Sequence, residues 1–145
     1  AGEINTLMPY YVIEKTTEAL NTHKKSINGS KILVIGLAYK PDVDDMRESP
    51  TFKILDLLKG KGAEVSYFDR HIPKIPKNRE HGEWTGLNSV NWDQETISSF
   101  DAIVISTHHS DINYDELGDW SPCIIDARNS MKNYSQKKLN HIFKA

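Results

Sequence analysis

Apolar residues recur along this chain in two rhythms, and the alternation between the rhythms predicts its elements. From Met8 to about Lys25, apolar Val12, Ile13, Ala19 and Leu20 repeat at helical spacing, with Glu14 and Glu18 four apart on a polar side. A helix is predicted there, with Pro9 in its first turn, where a missing N–H is harmless; nothing before residue 8 carries a pattern. Asn28-Gly29-Ser30 then breaks the chain. The run from Lys31 to Leu37, KILVIGL, is short, continuous and rich in β-branched residues, which predicts a buried strand. Ser49 and Pro50 open a second helix, serine as N-cap and proline at the first helical position, running to about Gly60. Phe52, Ile54, Leu55, Leu57 and Leu58 form its sheet-facing stripe. Three further strands are predicted at Ala63–Phe68, Asp101–Thr107 and Pro122–Asp126. Short helices are expected from Gln94 to Phe100 and from Tyr114 to Leu117, the latter stopping at Gly118, and a last helix from Ser135 to Phe143.

Strands alternating with helices imply crossover connections, hence a parallel sheet covered on both faces. The fold class is α/β: a Rossmann-like open parallel sheet with helices on both faces. One stretch interrupts the alternation. From Arg70 to Asp93 the chain is polar, with two prolines and Trp84 and Trp92, and a loop of that length in a compact domain is functional or flexible.

Composition narrows the class. The chain has 145 residues, 38% hydrophobic and 26% charged, which suits one globular domain with a real core. A net charge of −2 gives no bulk attraction to nucleic acid or an anionic membrane surface. No apolar run approaches a membrane span, and the first residues lack a secretory pattern. The single cysteine, Cys123, cannot staple the fold. A cytoplasmic location is expected.

Ligands of open α/β sheets bind beyond the carboxyl ends of the strands, at the switch in strand order. That rule selects Gly36–Ser49, Asp69–Arg70, Thr107–Asp111 and Asp126–Ser130. The first is neither a dinucleotide fingerprint nor a P-loop, since the further glycines are absent. It does hold Tyr39, which can stack on a base or sugar, and Lys40, which can pair with a phosphate as a point charge. Arg47 can grip a phosphate or carboxylate through two parallel hydrogen bonds. The alternative is a solvated loop in which Asp42, Asp44, Asp45, Arg47 and Glu48 only pair locally. The aspartates lack the glycine and distal glutamate of a calcium loop, so no metal is expected. His108 and His109 are adjacent, so their side chains point to opposite faces if the strand continues through them.

The run from Gly36 to Pro50, GLAYKPDVDDMRESP, closely resembles the signature opening the C-terminal domain of the UDP-glucose/GDP-mannose dehydrogenase family. Met8-Pro9-Tyr10 with Ala19-Leu20-Asn21 is similar to the end of that family's central helix. Gly62–Val65 with Phe68-Asp69 resembles its second strand, and Ile125–Asn129 its last. The resemblance implies that the sheet is preceded by the end of a long connecting helix, with residues 1–28 as the C-terminal part of that central, dimerising helix and 29–145 as a UDP-sugar-binding domain. It implies an NAD-dependent oxidation of the C6 alcohol of a UDP-sugar to a carboxylate by two hydride transfers, for surface polysaccharide precursors. It further implies that Tyr39, Lys40 and Arg128 contact the UDP-sugar and that Arg47 reaches toward NAD. Its partners would be the UDP-sugar, an N-terminal NAD-binding domain carrying the catalytic cysteine, and a second copy in a homodimer.

Each of these roles has a plainer counterpart in the residues themselves: Arg128 as an ion-pair partner of Asp126 or Asp69, and Arg47 as a residue that orients its loop. Thr107–Ile112 followed by Tyr114 resembles the segment of dehydrogenases acting on UDP-N-acetylhexosamines, which favours UDP-N-acetyl-glucosamine or -mannosamine over UDP-glucose. No catalytic residue is expected in this chain. Cys123 lies in an apolar strand run, where a buried, unactivated thiol is expected. The competing classes are a non-enzymatic Rossmann-like nucleotide-binding module, including a receiver-like one, and a stand-alone NAD-binding domain with Asp69 on the ribose hydroxyls. The first lacks the acidic residues a receiver needs at Gly36–Ala38 and Thr107; the second lacks the glycines.

Overall fold

Five short parallel strands in the order β2-β1-β3-β4-β5 form a sheet, and its two faces bury two different sets of side chains. The structure, a computed structural model, describes residues 2–38, 49–78, 81–134 and 141–145. The strands are β1 (Lys31–Ile35), β2 (Glu64–Phe68), β3 (Ala102–Ile105), β4 (Ile124–Asp126) and β5 (Ile142–Lys144). The helices are α1 (Gly2–Thr22), α2 (Pro50–Gly60), α3 (Gln94–Ser98) and α4 (Tyr114–Trp120).

Strand periodicity explains the two faces. Ile32 and Val34 of β1, Tyr67, Val104 and Ile125 join Val12, Ala19 and Leu20 of α1 and Phe52, Ile54, Leu55 and Leu58 of α2 in one core. Leu33 and Ile35, Phe68, Ile103, Ile105 and Ile124 join Ile97 of α3 and Leu117 of α4 in the other. The expected doubly covered sheet is present.

The ends of the elements differ from the sequence reading in ways that have causes. Helix α1 begins at Gly2 rather than Met8, with Pro9 inside it. A helix is held by the packing of its apolar face more than by its first turn, so a proline rule misplaces the start. Helix α2 begins as expected: the Ser49 hydroxyl accepts the Thr51 N–H at 3.3 Å and Pro50 occupies the first turn. Helix α4 passes through Gly118 to Trp120, because that glycine makes room for the Tyr134 ring rather than ending the helix. The predicted helix at Ser135–Phe143 is corrected at its end. Residues 135–140 lie outside the described residues, while Ile142 and Phe143 form β5 beside β4. Those two side chains face opposite cores, as strand residues do. Three residues are too short a run for alternation to reveal.

The long stretch after β2 is packed where it is described. Ile72, Ile75 and Trp84 are buried, the Tyr67 hydroxyl donates to the Ile72 carbonyl at 2.7 Å, and Trp84 Nε1 donates to Asp56 at 2.7 Å. No helix among the described residues is long and apolar enough to cross a membrane.

Strand register fixes where a ligand site can lie. Ile35 pairs with both Phe68 and Ile105, Ile105 with Asp126, and Asp126 with Lys144, so the five carboxyl ends form one row. The chain leaves β1 for β2 on one side and later returns to β3 on the other, so the switch point lies beyond Ile35 and Ile105.

Candidate functional site at the carboxyl edge

At the switch point the three residues following β1 are tethered on every side. The Gly36 N–H donates to the Phe68 carbonyl at 2.9 Å, and the Gly36 carbonyl accepts the Thr51 hydroxyl at 3.1 Å. Leu37 and Ala38 donate their N–H groups to Asp69 Oδ2 at 2.7 and 3.0 Å. The Ala38 carbonyl accepts the Thr107 hydroxyl at 2.9 Å. Gly36 sits at φ +90°, and a Cβ there would lie 2.5 Å from Thr107 Cβ. Only glycine lets β1 and the start of the β3 loop approach so closely. Thr51 Oγ1 and Ser106 Oγ, 2.6 Å apart, tie the first turn of α2 to the same point.

Asp69 and His109 are both fully buried, and His109 Nε2 lies 3.0 Å from Asp69 Oδ2. A carboxylate only accepts, so Nε2 carries the proton in this bond. Asp69 Oδ1 accepts the His71 N–H at 2.9 Å. Burial alone pushes the Asp69 carboxyl up, but the hydrogen bonds from His109, Ala38 and Leu37 together outweigh it and hold the pKa below the usual value.

Beyond β4 the chain turns tightly around Asp126. Its Oδ1 accepts the N–H groups of Arg128 and Ser130 at 3.1 and 2.9 Å, and its Oδ2 that of Met131 at 2.8 Å. Asn129 takes up the left-handed conformation at φ 58° that this turn requires. Arg128 is exposed and donates from Nε to the Ser106 carbonyl at 2.8 Å. Its guanidinium is therefore held across the ends of β3 and β4 and is not spent on Asp126 or Asp69. Beside it opens a cleft of about 480 Å³ lined by Asp126, Ala127, Arg128, Asn129, Lys144 and Ala145.

The adjacent histidines do diverge. His109 turns inward to Asp69, whereas His108 stacks on Tyr114 with centroids 4.8 Å apart and shares a 2.8 Å contact from Nδ1 with Ser130 Oγ. The Tyr114 hydroxyl donates to the His109 carbonyl at 3.0 Å and accepts its N–H at 3.1 Å. Burial pushes that phenol up to about 12, so it acts as a neutral donor.

The chain matches the UDP-glucose/GDP-mannose dehydrogenase family, UDP binding domain, over residues 33–133. It belongs to that family. Similar curated proteins include a UDP-glucose 6-dehydrogenase of Rickettsia conorii, 34% identical over 93% of this chain and 31% of its own length. A UDP-N-acetyl-D-mannosamine dehydrogenase of Methanococcus maripaludis is 32% identical over 95% of this chain and 31% of its own. Among solved structures, a UDP-D-ManNAc dehydrogenase from Pyrococcus horikoshii superposes with a TM-score of 0.73 at 26% identity, covering 98% of this chain and 31% of that one. The chain thus spans about a third of the length of these relatives.

In this UDP-binding domain, Arg128 is the sequence-predicted ligand residue that the structure places directly, at the carboxyl edge and with its guanidinium outward. Tyr39, Lys40 and Arg47 lie outside the described residues, but Ala38, the residue before Tyr39, is anchored at the switch point. Asp69 cannot serve ribose hydroxyls, because it is buried and both its oxygens are engaged; the stand-alone NAD-binding alternative is corrected on that ground. Cys123 is buried among apolar side chains, and burial pushes its thiol up to about 11. Sequence reasoning missed the Asp69–His109 pair and the Thr51–Ser106 contact. A buried aspartate ending one strand and a histidine two residues beyond Thr107 were visible, but nothing local joined them.

Proposed function

We propose that this chain is the nucleotide-sugar-binding part of an NAD-dependent UDP-sugar 6-dehydrogenase, which oxidises a C6 alcohol to a carboxylate in two hydride transfers. Arg128, Tyr39 and Lys40 contact the UDP-sugar, and Arg47 reaches toward NAD bound by a preceding domain. Residues 1–28 are the end of a central helix that joins the two domains and dimerises the enzyme, and 29–145 are the binding domain. The enzyme is cytoplasmic and supplies precursors of surface polysaccharide.

The observation that carries this reading is Arg128: exposed, oriented through Nε by the Ser106 carbonyl, and set beyond β4, where an α/β sheet receives its ligand. A forked cation there suits a diphosphate or a uridine carbonyl. The Thr107–Ile112 segment followed by Tyr114 supports UDP-N-acetyl-glucosamine or -mannosamine as the substrate. The likeness to the rickettsial UDP-glucose 6-dehydrogenase favours UDP-glucose as the second reading.

Titration calorimetry of the chain with UDP tests the binding role, with saturable heat expected. Incubation with NAD and each of the three UDP-sugars should yield no NADH from this chain alone. NADH formation would place catalytic groups within these 145 residues and overturn the division of labour.

A further inference from the structure

We propose that the buried Asp69–His109 pair, with the Thr107 hydroxyl, is a positioning device for nucleotide binding, which fixes the direction in which the chain leaves β1 toward Tyr39 and Lys40. The proposal rests on the reading of Lys40 as a UDP contact.

Three facts carry it. First, Asp69 is wholly buried yet ionised, which is costly unless its oxygens are fully bonded. Two of its bonds hold the backbone of Leu37 and Ala38, and a third is the charge-assisted bond from His109 Nε2. Second, the Ala38 carbonyl is held separately by Thr107, so both polar groups of the residue before Tyr39 are fixed by side chains from other strands. Third, His109 is itself pinned by the Tyr114 hydroxyl, which engages both its N–H and its carbonyl. That chain of contacts links β3, α4 and β2 to the exit of β1. None of these groups is free to meet a ligand, and their common product is the orientation of residues 36–38. The buried N–H groups of Leu37 and Ala38 require an acceptor, but stability alone does not require that acceptor to be a carboxylate paired with a histidine, since a neutral oxygen would satisfy them too. A chain direction preset before the ligand arrives lowers the ordering cost of binding.

A double-mutant cycle separates positioning from general stability, with UDP as the probe and calorimetry as the readout. His109→Ala should weaken UDP binding about tenfold, the scale of one charge-assisted bond. In a Lys40→Ala background the same substitution should cost less than about twofold, because there is no longer a lysine to misplace. His109→Gln, which keeps an N–H donor, should stay within about threefold of wild type. Thr107→Val, nearly isosteric and lacking only the hydroxyl, should show the same non-additivity and serves if His109→Ala fails to fold. Equal losses in both backgrounds, or no loss, would overturn the positioning role. If wild type binds UDP, Arg128→Ala binds it at least about tenfold more weakly, and His109→Ala binds as wild type, this proposal fails while the binding reading stands. Absence of UDP binding by the wild-type chain overturns both.

Discussion

Arg128 donates from Nε to the carbonyl of Ser106, 22 residues away in sequence and one strand away in space, at 2.8 Å. That bond uses the nitrogen a lysine lacks and leaves the terminal fork directed by the backbone rather than by a carboxylate. Arg128→Lys keeps the charge but loses the anchor, so UDP affinity should fall about tenfold, nearly as far as for Arg128→Ala. Calorimetry with UDP in low and high salt checks this. If the lysine variant binds like wild type, charge alone accounts for the role of Arg128.

Asp69 sets an acid limit on stability. Its carboxyl is held below the ordinary value of about 3.9 in the folded chain, so as pH falls the unfolded state takes up the proton first. The stabilisation is complete above that ordinary value and is lost as pH falls through the lowered folded value. Asp101, also lowered, adds to the same slope despite its own burial, through hydrogen bonds from Lys25 and the Lys31 N–H. Asp69→Asn should therefore lower the urea midpoint at pH 7, and the gap to wild type should narrow between pH 4 and pH 3. A gap independent of pH would show that the carboxylate charge is not what Leu37, Ala38 and His109 stabilise.

How much of this was legible in the sequence depended on range. The cap at Ser49 is present, and the strand expected over Lys31–Leu37 is present as Lys31–Ile35, both consequences of local spacing. The two histidines do diverge, but from the loop beyond β3, which ends at Ile105, so strand alternation is not the cause. The edge at which Arg128 sits followed from a topological rule once the strands alternated with helices. The Asp69–His109 bond joins residues 40 apart, and no local pattern encodes it. Strand β5 was missed for the opposite reason: its three residues form a strand because β4 lies beside them, whereas the sequence reading places a helix over Ser135–Phe143.

Cys123 should be inert in the folded chain. It is buried in the core shared with α1 and α2, and burial lifts its thiol to about 11, so at pH 8 the thiolate fraction is on the order of 0.001. A thiol-reactive dye should label it only in denaturant. Cys123→Ala should cost about 1 kcal/mol of stability by opening a small cavity, and leave UDP affinity unchanged. Rapid labelling of the native chain would contradict the burial that separates this thiol from a nucleophile.

Gly118 offers a test in which two effects oppose each other. It lies inside α4, where replacing glycine by alanine ordinarily stabilises a helix by about 1 kcal/mol. Here an added Cβ would lie 2.4 Å from Cε1 and 2.5 Å from Cζ of Tyr134, far inside contact distance. The ring has little freedom to retreat, because Tyr134 is buried in the second core and its hydroxyl donates to Asp119 at 2.9 Å. Overpacking of that kind costs about 1–3 kcal/mol, so Gly118→Ala should gain nothing and lose up to about 2 kcal/mol net in spite of its helix propensity. Combining it with Tyr134→Ala removes the clash and should restore the propensity gain, making the second substitution worth about 1 kcal/mol in that background. Urea denaturation of the four proteins in the cycle reads this directly. A stabilised Gly118→Ala would mean that α4 can shift away from the Tyr134 ring, and that the glycine marks helix geometry rather than the close packing of α4 against the segment after β4.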